Sequence, residues 1–242
     1  MKIFAFKINK EKTFVNVFCN ICICLVIVGV LFVSIYTPVV SMTNLTNDDV
    51  IYLGNTNNKN VSLMINVYWG TEYVEPMIDI LDKSDVKATF FVGGSWVAQN
   101  KEVFDKIIKS GHEVGNHGYY HKDQAKLNLS KNKEEITSCH DIVKVLSGTE
   151  MKLFAPPSGS YSKSTISAAK SLGYKTIMWS KDTIDWRDKN TDLIVSRATK
   201  DPKSGDLILM HPTECTKNAL QSIIDFYKKN GFKLVTVSEN LE

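Results

Sequence analysis

The sequence predicts an α/β fold in which parallel strands alternate with helices, and one local pattern that occurs three times indicates it. An amphipathic stretch ends in glycine and continues into a short apolar run in "VFDKIIKSGHEV", "AAKSLGYKTIMW" and "IIDFYKKNGFKLVTV". Gly111, Gly173 and Gly231 fit the left-handed position that ends a helix and releases the chain into a strand. Alternation of the two element types favours parallel strands, because such strands need a helical crossover.

Apolar runs bounded by turn residues predict seven strands, near 62–67, 88–92, 112–115, 152–155, 175–179, 207–210 and 233–237. Amphipathic spacing predicts helices near 74–83, 99–110, 132–147, 162–172, 191–198 and 216–230. Seven strands are one short of the standard eight-stranded barrel, so an incomplete barrel and an open doubly wound sheet both satisfy the pattern. In both folds the catalytic and ligand-binding residues lie at the carboxyl ends of the strands.

The N-terminus predicts a membrane segment. Residues 21–40 read "ICICLVIVGVLFVSIYTPVV", and twenty helical residues span about 30 Å, the thickness of a bilayer's hydrocarbon core. Lys2, Lys7, Lys10 and Lys12 precede this run and favour a cytoplasmic N-terminus with the rest of the chain on the extracytoplasmic face. We expect a cytoplasmic tip and signal-anchor in residues 1–41, a polar tether in 42–60 and a folded domain in 61–242. Cleavage near Ser41, which would release a secreted domain, stays an alternative.

The charge balance argues against nucleic-acid binding. Of 29 Lys and Arg and 26 Asp and Glu, the first twelve residues contain four and one, which leaves 25 of each. The outer domain is therefore neutral and lacks the basic surface typical of nucleic-acid binding. Cys139 and Cys215 lie in this domain, and their pairing is left open.

Polar residues follow the predicted strands, where a parallel sheet would bring them together. His117 and His121 lie in "NHGYYH", a spacing that suits a metal site and equally suits two exposed loop histidines. His211 follows "LILM" and fits either a proton donor or a structural histidine. Asp182 and Asp185 fit capping carboxylates, or the acid and base of a glycosidase.

Taken together, "NHGYYH", "FAPPSG", "DTIDW" and "LILMHPT" resemble the NodB-type polysaccharide deacetylases of carbohydrate esterase family four over about residues 61–238. The resemblance implies an incomplete seven-stranded (β/α) barrel that removes acetyl groups from amino sugars of peptidoglycan or chitin-like polymers. It also implies zinc or a similar divalent ion, which the family binds through two histidines and one aspartate; His117 and His121 match the two histidines.

The resemblance assigns further roles. His211 matches the general acid that protonates the leaving amine, and Asp185 matches the residue that supports it. Four residues match the substrate-binding wall and the loop that stabilises the oxyanion: Trp186, Pro157, Ser158 and Tyr161.

The first motif departs from the family pattern. Where the family has Thr-Phe-Asp-Asp-Gly, with a base followed by a metal ligand, this chain has "MINVYWG". In one register, typical of the spore-associated branch, Asn66 takes the base position and Val67 the ligand position; in the other, Tyr68 and Trp69 replace the pair. Glu72 follows soon after Asn66 and could substitute for the missing carboxylate, but a solvated loop glutamate is the favoured interpretation.

The family arginine before Pro-Pro is Ala155. Because an amide takes no proton at neutral pH, we expect impaired activity and weak metal binding. Two hypotheses follow: a membrane-anchored wall-polysaccharide N-deacetylase of reduced activity, or an inactive relative that binds wall glycan or an assembly partner in the same groove.

Overall fold

The computed structural model describes residues 18–28 and 49–242. These fall in two units, Met1–Met42 and Thr43–Glu242. In the first unit, residues 18–28 form a helix, α1. Within the two described ranges, no helix combines the length and the apolar character needed to cross a bilayer. Most of the predicted membrane segment, residues 29–40, lies outside the described residues.

The second unit contains a parallel sheet. Its strands are β1 (Val50–Ile51), β2 (Asn60–Val67), β3 (Thr89–Val92), β4 (Glu113–Asn116), β5 (Leu153–Phe154), β6 (Lys175–Ile177), β7 (Lys181–Asp182), β8 (Leu207–Met210) and β9 (Lys233–Leu234). Eight of them follow the order β1-β6-β5-β4-β3-β2-β8-β7, and β9 pairs with the start of β2. Since β1 and β7 are the two ends of this order, the sheet of residues 49–242 is an incomplete barrel.

Helices connect the strands. They are α2 (Thr71–Lys83), α3 (Gly94–Gln99), α4 (Lys101–Lys109), α5 (Leu129–Ser147), α6 (Lys163–Ser171), α7 (Thr191–Thr199), α8 (Glu214–Lys229) and α9 (Val237–Asn240). Side-chain caps start several of them, since Asn128, Ser162, Asn190 and Thr213 each accept a hydrogen bond from a backbone N–H of the first turn.

The predicted alternation of strands and helices is confirmed, with two strands and two helices (α3 and α9) that were not predicted and a last strand that was predicted too long. Two short strands escaped prediction because two residues give no periodic signal. β1 lies within the predicted tether and pairs with β6, and β7 lies within the predicted strand-end loop and pairs with β8. The last predicted strand was too long, because Val237 begins α9, whose capping box is formed by Thr236 and Glu239.

The sheet separates two apolar layers. Successive side chains of β2 point alternately into one layer and the other. Ile65 and Val67 pack with helix residues such as Met77, whereas Met64 packs with strand residues such as Phe91 and Leu207. The second cluster fills the concave interior of the incomplete barrel. Cys139 and Cys215 are free thiols, and Cys139 is buried under β3 with its Sγ donating to the Val92 carbonyl.

Candidate active site

Because side chains alternate along β2, Asn66 lies at the mouth of the barrel. Asn66 lies two residues beyond Met64 on β2 and therefore faces the concave side, whereas Val67 points into the helix layer, where it is fully buried. Of the two predicted registers, only the first puts its base-position residue in the mouth. Val67 is excluded as a ligand by its apolar side chain and by its direction.

A cleft of about 380 Å³ opens at this mouth. Its lining combines three indole rings with polar groups at or after five strands: Asn66, Trp69, His121, Ser158, Trp179, Asp182, Trp186, Leu209 and His211. The predicted site residues Asn66, His121, Ser158, Trp186 and His211 thus meet in one place. A mostly apolar cleft with a few convergent polar groups is the usual form of a small-molecule site.

His211 is held by the carboxylate of Asp185. The Asp185 Oδ1 atom lies 2.8 Å from His211 Nδ1, and Oδ2 accepts from the His211 backbone N–H at 2.6 Å. Thr216 Oγ1 donates to the same Oδ2 at 2.6 Å. Because Asp185 is only 2% exposed and engages Nδ1, the imidazole is fixed with Nε2 left for a ligand. This is the arrangement a proton-donating histidine needs.

The loop after β2 packs directly on this histidine. The indole of Trp69 stacks on the His211 ring with centroids 5.7 Å apart and an interplanar angle of 8°. Gly70 adopts a left-handed φ of 72°, and a Cβ atom there would lie 2.0 Å from the Pro212 carbonyl oxygen. Only glycine allows so close an approach. The loop after β2, which carries Trp69, therefore packs tightly against the loop after β8, which carries His211.

His117 and His121 lie together, with ring centroids 5.0 Å apart. His117 is 1% exposed, and its Nδ1 lies 2.7 Å from the Ala155 carbonyl oxygen. Burial and the neighbouring His121 lower the pKa of His117 to about 3, and burial lowers the pKa of His121. Both imidazoles are therefore neutral at pH 7, the form in which histidine binds metals.

A buried carboxylate that the sequence reasoning missed shapes the loop between these histidines. Glu135 on α5 is 3% exposed, and its Oε2 accepts from the backbone N–H groups of Tyr119 and Tyr120 at 3.0 and 2.8 Å. Its Oε1 pairs with Lys122 Nζ at 2.9 Å. Glu135 lies on α5, 15 and 16 positions from the two N–H groups it binds, so no local signal in the sequence pointed to this contact.

The donor set does not fit a complete zinc site. Catalytic zinc takes three protein ligands, and within residues 18–28 and 49–242 no group of three His, Cys, Asp or Glu side chains is placed to hold a metal ion. The ring of Tyr68 stacks on His121, with centroids 4.8 Å apart. Glu72 is exposed on α2 and is not among the cleft residues, which agrees with the favoured interpretation of a solvated glutamate, although it lies on a helix and not in a loop.

The predicted Pro-Pro loop contributes less than expected. Ser158 lines the cleft with a left-handed φ of 54°, but Pro157 has no N–H, so only Ser158 of this pair can donate to an oxyanion. Tyr161 is not among the cleft residues; its hydroxyl lies 2.6 Å from that of Tyr52. Trp179, two residues beyond the end of β6, lines the cleft instead, whereas the sequence analysis included it in a predicted strand over 175–179.

The sequence matches the family model "Polysaccharide deacetylase" over residues 53–177. Among curated proteins, it is 41% identical to YlxY of Bacillus subtilis over 192 residues, which cover 79% of this chain and 60% of that protein. The chain thus spans less than two thirds of YlxY. It is 33% identical to a peptidoglycan-N-acetylglucosamine deacetylase of Bacillus cereus over 175 residues, which cover 70% of this chain and 82% of the relative.

Solved structures give the same result. The fold superposes on BA3943 of Bacillus anthracis, described as a carbohydrate esterase family four pseudoenzyme, with a TM-score of 0.78 and 36% identity, covering 81% of this chain and 70% of that one. A BA3943 mutant described as having restored enzymatic activity matches with a TM-score of 0.78 and 34% identity, covering 81% and 72% of the two chains.

Proposed function

The chain belongs to the polysaccharide deacetylase family, and on this premise we propose that it acts on acetamido groups of cell-wall amino sugars as an impaired N-deacetylase. The observation that carries the proposal is the pair of Asp185 and His211 at the edge of the aromatic cleft. Deacetylation breaks an amide, and the leaving nitrogen needs a proton. His211 Nε2 is the group we assign to deliver it, with Asp185 stabilising the charged imidazole.

The proposed reaction is slow because water activation has no base. At the base position Asn66 offers a neutral amide, and general-base catalysis contributes about a hundredfold to ten-thousandfold in rate. His117 and His121 are the residues that would meet a divalent ion such as zinc. With only two imidazoles we expect weak binding of this ion.

The aromatic cleft supports a sugar as the ligand. The indoles of Trp69, Trp179 and Trp186 line it, and Trp186 is 56% exposed, so its ring is accessible to an extended polymer. Aromatic faces bury the apolar faces of sugar rings while polar groups at the rim take the hydroxyls. Peptidoglycan is the polymer we propose, because the Bacillus cereus relative is a peptidoglycan-N-acetylglucosamine deacetylase.

A second candidate is glycan binding without turnover. It is favoured by the combined replacement of base, ligand and arginine by Asn66, Val67 and Ala155, and by the likeness to a pseudoenzyme. We further propose that residues 1–41 anchor the chain in the cytoplasmic membrane, with the deacetylase-fold unit on the extracytoplasmic face. The apolar run at 21–40 and the preceding lysines support this.

One experiment separates the two candidates. Purified full-length chain is incubated with N-acetylglucosamine oligomers, and both acetate release and oligomer binding are measured, for the wild type and His211→Asn. Slow release that disappears in His211→Asn supports the deacetylase. Binding without release supports the second candidate, and the absence of both overturns the assignment of the cleft to wall glycan.

A further inference from the structure

We infer that the cleft distinguishes acetylated from deacetylated amino sugars, and that the Asn66 side chain recognises the intact acetamido group by hydrogen bonding. This inference rests on the proposed function, because it assumes that an amino sugar occupies the cleft. It goes beyond that function by naming the side chain that recognises the acetyl group and the sugar that is excluded.

The starting observation is an amide with unmet hydrogen-bonding capacity. Asn66 is 4% exposed and lines the cleft, and its Oδ1 has no hydrogen-bond partner among the described residues. Leaving such a buried acceptor unpaired costs free energy, so a ligand that pairs with it is favoured. Rotation of the amide exchanges Oδ1 and Nδ2, so Asn66 offers either an acceptor or a donor at the same place.

An acetamido group matches this side chain. It has one N–H donor and one carbonyl acceptor, and neither it nor Asn66 carries a charge. The deacetylated sugar instead presents an ammonium, which would be desolvated against a neutral amide. Burying an unpaired charge is far more costly than burying a hydrogen-bonded amide, so the chemistry of the cleft floor favours the acetylated form.

The one carboxylate among the cleft residues lies away from Asn66. Asp182 pairs with Leu209, which pairs with Met64, so Asp182 lies two strands from β2 and at a lower level than Asn66. Two strand spacings amount to roughly 10 Å. Asp182 Oδ1 also accepts from the Ile184 N–H at 2.8 Å. An ammonium held near Asn66 therefore gains no close counter-charge from Asp182.

The test compares two oligomers of equal length, N-acetylglucosamine tetramer and glucosamine tetramer, by calorimetric titration of the full-length chain in the presence of a chelator. We expect the acetylated tetramer to bind about tenfold more tightly or better, the difference that one well-made hydrogen bond and one unpaired charge provide. In Asn66→Asp, a carboxylate replaces the amide, and the preference should shrink or reverse. Asp182→Asn tests the other carboxylate of the cleft and should keep the preference. Asn57→Asp, which adds the same charge at an exposed position outside the cleft, is the matched control and should also keep it.

The outcomes separate this inference from its premise. If neither tetramer binds, the proposed function fails, and the inference fails with it. If both bind equally well to the wild type, the glycan cleft stands but the inference is overturned. A preference that survives in Asn66→Asp and is lost in Asp182→Asn would also overturn it, because Asp182 would then be the discriminating residue.

Discussion

The phenol ring of Tyr68 stacks on the imidazole of His121, with centroids 4.8 Å apart and planes inclined by 26°. A carboxylate in this place would complete a three-ligand set with His117 and His121, whereas an aromatic ring supplies no ligand. We therefore expect position 68 itself, one residue beyond the ligand position of the first predicted register, to decide metal binding.

Tyr68→Glu should strengthen zinc binding by at least about tenfold, because it adds a carboxylate on the covered side of His121. Zinc affinity is measured by competition with a chromogenic chelator. Tyr68→Gln has nearly the same shape without the charge and should leave the affinity at the wild-type level. Equal affinities for the Glu and Gln variants would show that Tyr68 does not occupy the missing ligand position.

Val67→Asp should destabilise the protein rather than build a metal site. Val67 is fully buried among helix-side apolar residues, and an unpaired carboxylate there is costly, by about 3 kcal/mol or more. Urea unfolding measures the loss. Val67→Ala is the control for lost volume and should cost less. A Val67→Asp variant as stable as Val67→Ala, with increased zinc affinity, would contradict the direction assigned to this side chain.

Asn66→Asp should raise the rate of acetate release by about a hundredfold if water activation is what the wild type lacks. The carboxylate would occupy the cleft floor, where Asn66 now lies beside His121 and His211. Release from N-acetylglucosamine oligomers is followed for this variant alone and combined with Tyr68→Glu. A flat response in both would mean that Asn66 does not stand at the position of the base.

Glu135→Gln should loosen the loop that carries His117 and His121. The Glu135 carboxylate accepts two backbone N–H groups and pairs with Lys122, and charge-assisted hydrogen bonds are about twice as strong as neutral ones. Hydrogen exchange at the Tyr119 and Tyr120 amides should accelerate. Glu134→Gln, at the exposed neighbouring position on α5, should leave their exchange unchanged; equal exchange in the two variants would argue against a positioning role.

Stability should decline in acid partly because of His112. Desolvation and the nearby Lys87 lower the pKa of this buried histidine to about 4, against a smaller opposing effect of Asp82. Between about pH 6.5 and 4 the unfolded state binds a proton that the folded state does not, so the free energy of unfolding falls as pH falls through this window.

His112→Gln removes this titration, and its free energy of unfolding should fall about 1–3 kcal/mol less than that of the wild type between pH 7 and pH 4. Urea unfolding at several pH values measures the slope. Parallel curves for the two proteins would show that His112 does not contribute to acid sensitivity.

The sequence alone determined the alternation of strands and helices and the places where polar residues follow strands. These features are local, since hydrophobic period and glycine or cap signals act within a few residues. These local signals were enough to predict that Asn66, His211 and Trp186 lie at the same edge of the sheet. The two shortest strands were missed because pairing across the sheet, and no local pattern, defines them.

Only the tertiary structure decided which side chains meet. Tyr68 on His121, Trp69 on His211 and Glu135 beneath the histidine loop join residues from different elements. Tyr161 was expected in the cleft, but its hydroxyl forms a hydrogen bond with that of Tyr52, near the start of the second unit. Such contacts depend on how loops converge at the mouth of the barrel, and the spacing of residues along the chain carries no information about that convergence.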